Sequence, residues 1–345
     1  MDMDHTLTRT QISGLYAGPL AGTDENGSVS HGNAMNDNEG YGKARNENAK
    51  KNSIKKNSAA QRKQIIKRHL ILRTIIQLVF FISMPSAFVA GFSGAKYIFN
   101  QVSTGSLLSK NDFLVILIFL CVYTIVAGRF FCGYICAFGT LGDVIYALSG
   151  QVQMKILKKK KQYKLPLSIL PWLQKIKYAI LAAVLLMCGT GIYGKLQGTS
   201  PWDIFSQLTA LKLNINGYAI GMVIFILILA GMGVQERFFC QFLCPMGAIF
   251  SLLPVLPAAT LKRDAANCPK KCNVCQQNCP VGLKLENNSS RSGECIRCGK
   301  CAVYDIKSVN IRSFGKLNGT EIWLVILKAV LFFGIGTALG LCRFV

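Results

Sequence analysis

Five apolar runs punctuate a chain that is otherwise mixed or polar. They cover roughly residues 70–92 (LILRTIIQLVFFISMPSAFVAGF), 112–128 (DFLVILIFLCVYTIVAG), 175–194, 217–235 (GYAIGMVIFILILAGMGV) and 321–342 (EIWLVILKAVLFFGIGTALGLC). Each approaches the ~20 residues that a helix needs to cross a hydrocarbon layer. Only helices and closed barrels satisfy the backbone in that layer, and runs of this length predict helices. The first 60 or so residues behave differently. Rich in Asn, Gly, Ser and charge, they lack the apolar surface that would offset ordering entropy and are expected to be disordered. They hold no apolar stretch near the start, so no cleavable signal peptide is expected.

The pattern repeats internally. GRFFCGYICAFG at 128–139 matches ERFFCQFLCPMG at 236–247, and YIFNQV at 97–102 matches DIFSQL at 203–208. Both copies run span, outer loop, span, then Arg-Phe-Phe-Cys-x3-Cys, and both enter the membrane in the same sense. That predicts a parallel two-fold repeat about an axis along the membrane normal. The expected fold is an all-α integral membrane protein of about five transmembrane helices, plus a small cysteine-rich domain. Its parts are a disordered tail (1–64), a first membrane repeat (65–150), a second (151–260), the cysteine-rich domain (261–316) and a C-terminal transmembrane helix (317–345).

Charge sets the orientation. The net charge of the 345-residue chain is +23, and Lys and Arg gather before the first run, between runs two and three (KILKKKKQYK) and between runs four and five. The positive-inside rule places the N-terminus and the loop at 261–316 in the cytoplasm and the C-terminus outside the cell membrane. Positive charge concentrated beside apolar runs points to membrane topology rather than to nucleic acid.

The chain has 14 cysteines, most of them clustered. In a reducing compartment such clusters indicate metal or redox chemistry rather than disulfides. One group is Cys268, Cys272, Cys275 and Cys279, followed by Pro280; another is Cys295, Cys298 and Cys301, with Asp305 where a fourth cysteine would complete the pattern. In two-cluster ferredoxins the fourth cysteine of each run serves the other cluster. On that scheme residues 261–316 are a small ferredoxin-like iron–sulfur domain, in which Cys295, Cys298, Cys301 and Cys279 make one complete [4Fe–4S] site. Cys268, Cys272 and Cys275 make a second, completed by Asp305 or left open, and [3Fe–4S] is an alternative there. A zinc ribbon through Cys272, Cys275, Cys295 and Cys298 has acceptable spacing but leaves Cys268, Cys279 and Cys301 idle.

Two further pairs, Cys132/Cys136 and Cys240/Cys244, lie four apart, which on a helix puts both members on one face. Repeat symmetry would bring the pairs together, where four thiols hold a cluster or metal, act as redox dithiols, or merely pack a tight turn. Cys121, Cys188 and Cys342 stand alone and are expected to pack. Haem is not expected: the three histidines are His5, His31 and His69, and no CxxCH occurs. Lys328, inside the fifth run, either marks function or snorkels to an interface.

Two Arg-Phe-Phe-Cys-x3-Cys elements, four spans and a cytoplasmic ferredoxin-like loop resemble the NapH/NosR/CcoG-type membrane polyferredoxins over roughly residues 65–315. The resemblance implies electron transfer between a quinol pool or a cytoplasmic donor and a partner redox protein; the basic residues around the clusters suit an acidic partner such as a soluble ferredoxin or flavodoxin. It implies a quinol dehydrogenase-type subunit; a redox sensor or metal-centre maturation factor is the alternative. The chain departs from the pattern at Asp305, at Ala137 in place of a proline, and in its fifth span.

Overall fold

The computed structural model describes Gln64 and residues 66–105, 111–157, 169–191, 200–209, 218–256, 274–283, 293–301 and 322–343, with backbone alone at 157, 274, 275 and 343. Among them every regular element is helical. The order is α1 (Ile66–Ser83), α2 (Ala87–Thr104), α3 (Asp112–Ala127), a π-turn (Phe131–Ile135), α4 (Ala137–Leu157), α5 (Leu170–Gln174), α6 (Ile176–Gly189), α7 (Pro201–Thr209), α8 (Ala219–Val234), α9 (Phe238–Phe242), α10 (Pro245–Leu252), α11 (Val274–Gln277), α12 (Ile322–Ala338) and a 3₁₀ turn (Leu341–Arg343).

The apolar run at 70–92 is not one straight helix. It breaks at Met84–Ser86, and α1 and α2 meet at 61°. Pro85 has no N–H to give and its ring crowds the preceding turn, so α2 starts afresh and continues to Thr104, beyond the apolar run. Elsewhere the boundaries follow the runs closely: α3, α8 and α12 each fill one.

One helix among the described residues, Leu170–Gly189 (α5 with α6), is long and apolar enough to cross a membrane; the bent pair α1–α2 passes the same criteria jointly. α3, α8 and α12 are apolar but shorter. Their outer faces are apolar too. On α8, Phe225, Ile228 and Met232 face the interior, while Ile220, Val223, Ile226 and Leu227 lie 56–65% exposed. A helix apolar on all sides suits an apolar surrounding rather than water.

The elements interlock across the two sequence repeats. Within a repeat α2 packs on α3, α7 on α8 and α10 on α6, while between repeats α4 packs on α8, and α2 on α6 and α10. An aromatic cluster fills the junction. Phe239 stacks on Phe138 at 4.5 Å between ring centres, and Phe131 meets Phe250 edge-on at 6.0 Å. Each Arg-Phe-Phe element thus lends its second phenylalanine to the other repeat.

Candidate functional site

Both Cys-x3-Cys elements fold in the same way. The N–H of the second cysteine reaches back five residues to the carbonyl of the second phenylalanine: Cys136 to Phe131 at 2.8 Å and Cys244 to Phe239 at 2.9 Å. Such π-type turns recur at functional sites. The second cysteine then turns extended, with ψ of 122° and 110°, and a new helix begins. Hence the four-residue spacing does not put both thiols on one face of a continuous helix, as the periodicity predicts; the wide turn ends at the second cysteine. Cys244 Sγ caps α10 by accepting the Gly247 N–H at 3.1 Å, and Cys136 accepts from Gly139 in the same way at the start of α4. A helix N-terminus favours negative charge on such a sulfur.

The four thiols, all buried, converge between the repeats. Cys136 interacts electrostatically with Cys240 and Cys132, and Cys244 with Cys240, Cys132 and Cys136. The arginines that open the motifs flank them, and each crosses to the opposite repeat. Arg237 lies against Gly139, where a Cβ would strike its Nη1, and Arg129 lies against Gly247, where a Cβ would stand 3.0 Å from its Nη2. Both guanidiniums are 1% exposed, which is costly unless they are paired.

Two acid clusters provide the pairing. Asp143 on α4 takes two bonds from Arg237 (2.8 and 2.6 Å), one from Arg73 (2.7 Å) and one from Gln77 (2.8 Å). Arg237 also donates to the carbonyls of Cys132 (2.6 Å) and Gly133 (3.3 Å). Burial pushes the Asp143 carboxyl upward, but Arg237 and Arg73 outweigh it and hold it at about 2. Glu294 plays the same part beside the other repeat, bridging Lys177 and Arg129 (3.4 Å) and accepting from Tyr178 at 2.9 Å. In both clusters two cations face one carboxylate, which leaves positive charge next to the four thiols.

The cysteine-rich loop docks on the same turns. Gln241, between Cys240 and Cys244, donates to the Pro280 carbonyl, and Gln174 to that of Val281 at 3.2 Å. Gly133, between Cys132 and Cys136, abuts the Ile296 carbonyl, and a Cβ there would lie 3.3 Å from the Cys298 N. Tyr134 OH bonds the Cys298 carbonyl (3.3 Å) and pairs with His69 Nε2 (3.0 Å). The segment curls through left-handed backbone at Arg297 (φ 55°) and Gly299 (φ 71°). Only glycine suits position 299, since a Cβ would also press on His69 at 2.9 Å.

The curl closes around a cavity lined by Cys279, Cys295, Cys298 and Cys301, with Val281, Leu283, Ile296 and Arg297 among its other walls. Burial, then repulsion from Cys298, raises the Cys279 thiol to about 12. Burial raises Cys295 as well, against the pull of Arg297. Thiols bind metal as thiolates, so loading this cavity displaces protons. Four sulfurs with no carboxylate among them suit a cubane iron–sulfur cluster, one thiolate per iron. Among the described residues, no three His, Cys, Asp or Glu side chains are grouped tightly enough for a single metal ion.

Of the residues singled out in the sequence, Cys279, Cys295, Cys298 and Cys301 share this cavity, and Cys132, Cys136, Cys240 and Cys244 share the inter-repeat site. Cys268, Cys272 and Asp305 lie outside the described residues, as do the side chain of Cys275 and nearly all of the tail. Cys121 is half-buried in α3, Cys188 is buried in α6 and Cys342 is exposed. Lys328 places its ammonium 5.9 Å from the centre of the Phe130 ring. The buried cations Arg73 and Lys177 and the half-buried carboxylates Asp143 and Glu294 carry no motif. Their signal is faint: ionisable residues set in or beside apolar helical sequence.

A family model described as a 4Fe-4S binding domain matches residues 112–162 and 219–259, the two stretches that carry the Cys-x3-Cys turns. An iron–sulfur protein of the ferredoxin type is thereby defined. An uncharacterized protein of Methanocaldococcus jannaschii is 31% identical over 238 residues, 67% of this chain and 90% of that protein. Ferredoxin-type protein NapH of Haemophilus influenzae is 25% identical over 52% of this chain and 60% of its own. Regulatory protein NosR of Pseudomonas aeruginosa is 22% identical over 50% of this chain and 23% of its own. The chain belongs to the NapH/NosR-type family of 4Fe-4S ferredoxin-type proteins. No solved structure matches it.

Proposed function

We propose that this protein is a multi-pass membrane electron carrier that relays single electrons between a quinol pool or a soluble cytoplasmic donor and a partner redox protein. The observation that carries this reading is how closely the loop backbone lies against the Cys132–Cys136 turn. Gly133, between those two cysteines, leaves no room for a side chain: a Cβ would collide with the Ile296 carbonyl and stand 3.3 Å from the N of Cys298, which lines the loop cavity. Adjacent redox centres at that junction would exchange electrons through a few packed atoms.

Cys279, Cys295, Cys298 and Cys301 would hold one [4Fe–4S] cluster, and Cys268, Cys272 and Cys275 a second, with Asp305 or an open position completing it. Cys132, Cys136, Cys240 and Cys244 would hold a third centre; the family match over their turns supports this. Bound clusters supply one-electron redox chemistry. The chain's own residues present thiolates, exclude water with the aromatic cluster, and compensate negative charge with Arg129 and Arg237.

Membrane insertion is supported by the apolar exteriors of α3, α6, α8 and α12, where Leu186 is 70% and Val330 61% exposed. Monomeric soluble proteins rarely expose contiguous apolar surface on this scale. The basic loops favour a cytoplasmic N-terminus and iron–sulfur domain.

The deciding experiment is anaerobic purification in detergent, with iron and acid-labile sulfide assays, EPR, and reduction by a quinol analogue. Iron and sulfide in equal amounts, with signals that appear on reduction, are the expected result. Zinc in place of iron refutes the cluster assignment; clusters that no quinol analogue or soluble ferredoxin can reduce refute the relay and leave a sensor or maturation role.

A further inference from the structure

The two motif arginines occupy matching seats but differ in what they bind. All three nitrogens of Arg237 have partners: Nε and Nη2 hold Asp143, and Nη1 holds the Cys132 carbonyl. Arg129 is equally buried, yet only its Nη1 is engaged, by the Gly293 carbonyl at 3.1 Å and Glu294 at 3.4 Å. Its Nε and Nη2 have no oxygen acceptor, and the guanidinium lies against the Cys132 thiol. A buried guanidinium that leaves donors idle is unfavourable unless an acceptor arrives. These donors lie in the field of Cys132 and Cys244, and Nη2 sits beside the Gly247 turn on which Cys244 is capped. The acceptor their position suits is therefore anionic sulfur.

We propose that Arg129 sets the reduction potential of the centre between the repeats, its Nε and Nη2 donating to the sulfurs at Cys132 and Cys244. This rests on the reading that Cys132, Cys136, Cys240 and Cys244 hold an iron–sulfur centre. Reduction adds a negative charge, and hydrogen bonds to sulfur together with nearby positive charge favour the reduced form, which raises the potential. Arg237 also lies against Cys240, but its nitrogens are held by Asp143 and the Cys132 carbonyl. Arg129 is the arginine with donors to spare. Glu294 opposes it, because its carboxylate offsets part of the positive charge of Arg129 and Lys177.

The test uses the full chain, purified anaerobically, with Arg129→Lys, Arg129→Gln and Glu294→Gln. Iron and sulfide are assayed, and each centre is titrated with dithionite and mediators under EPR. The inter-repeat signal is identified as the one lost in Cys244→Ser and retained in Cys298→Ser. At unchanged iron content, Arg129→Gln shifts the inter-repeat midpoint to more negative values. Arg129→Lys, which keeps charge but loses the fork, shifts it less, and Glu294→Gln shifts it the opposite way. The loop centre, whose ligand Cys295 adjoins Glu294 and lies in the field of Arg129, shifts by less than the inter-repeat centre. A purely structural role for these residues would not produce shifts of opposite sign. Should Arg129→Gln fail to fold, the lysine and Glu294→Gln variants still decide.

Unchanged midpoints in the folded variants, or a shift of the same sign in Arg129→Lys and Glu294→Gln, overturn the proposal. If Cys132→Ser/Cys244→Ser keeps every signal and all iron, the centre itself is absent and the underlying reading fails. That result is distinct from a centre that is present but indifferent to Arg129.

Discussion

Replacing Asp143 with alanine removes the acceptor that Arg237 grips with two bonds and that Arg73 and Gln77 also reach. Arg73 and Arg237, exposed by 4% and 1%, would then face each other's charge with no carboxylate between them. Asp143 is itself 19% exposed, so the contrast with an exposed pair rests on its buried arginines; breaking a buried pair from one side costs up to about 3–5 kcal/mol, against a total stability of about 5–15 kcal/mol for ordinary domains. The loss therefore consumes a large share of stability and strikes where the repeats interlock. The assay is thermal unfolding in detergent, followed by a thiol-reactive fluorophore that reports exposure of the buried cysteines. A control is Lys300→Ala, which breaks the Lys300–Glu236 pair, whose side chains are 21% and 20% exposed; partly exposed pairs are worth about 0–1 kcal/mol. Asp143→Ala should lower the midpoint far more than the control. A combined Asp143→Leu, Arg73→Met, Arg237→Met variant should recover much of the loss, since apolar replacement of a whole buried ionic group is often neutral. Equal shifts for Asp143→Ala and Lys300→Ala would refute the reasoning.

The same carboxylate gives a pH signature. Its folded value lies near 2, below the ordinary 3.8, so its stabilisation is fully present above 3.8 and is lost as pH falls toward 2; the stability gap between wild type and Asp143→Asn should be flat above about pH 4 and shrink below it, measured by acid titration of unfolding. Gly133→Val should push the Ile296–Cys298 backbone off its turn, lowering loop-centre iron and slowing electron exchange between centres in freeze-quench EPR, while Cys244→Ser leaves the loop centre loaded. Asp305→Cys should make the second loop cluster more resistant to oxygen, read as iron retained after air exposure; identical loss in Asp305→Cys and Asp305→Ala would exclude Asp305 as a ligand.

Hydrophobic runs carried most of the helix boundaries, because α3, α8 and α12 are apolar along their whole length and end where the runs end. The bend at Pro85 escaped because Met84-Pro85-Ser86 sits within an unbroken apolar stretch, where hydropathy is blind to a missing N–H. Cysteine spacing grouped Cys279, Cys295, Cys298 and Cys301, and these four line one cavity, because the curl that joins the last three is local. The acid clusters were not legible. A lone Asp143 or Lys177 announces a cost, not the partner that offsets it, and those partners lie 94 and 117 residues away. The turns at Cys136 and Cys244 were likewise hidden, because a four-residue interval fits an ordinary helix as well as a wide one.

The crossed seating of Arg129 on Gly247 and Arg237 on Gly139 means that neither half of the sequence is self-sufficient. A half-length ancestor would have needed a twin, with each copy offering its guanidinium to the other's glycine notch. Once joined in a single polypeptide, the halves were free to diverge, and they have: one acid rides on the helix that follows its turn, while the other was recruited from a distant loop.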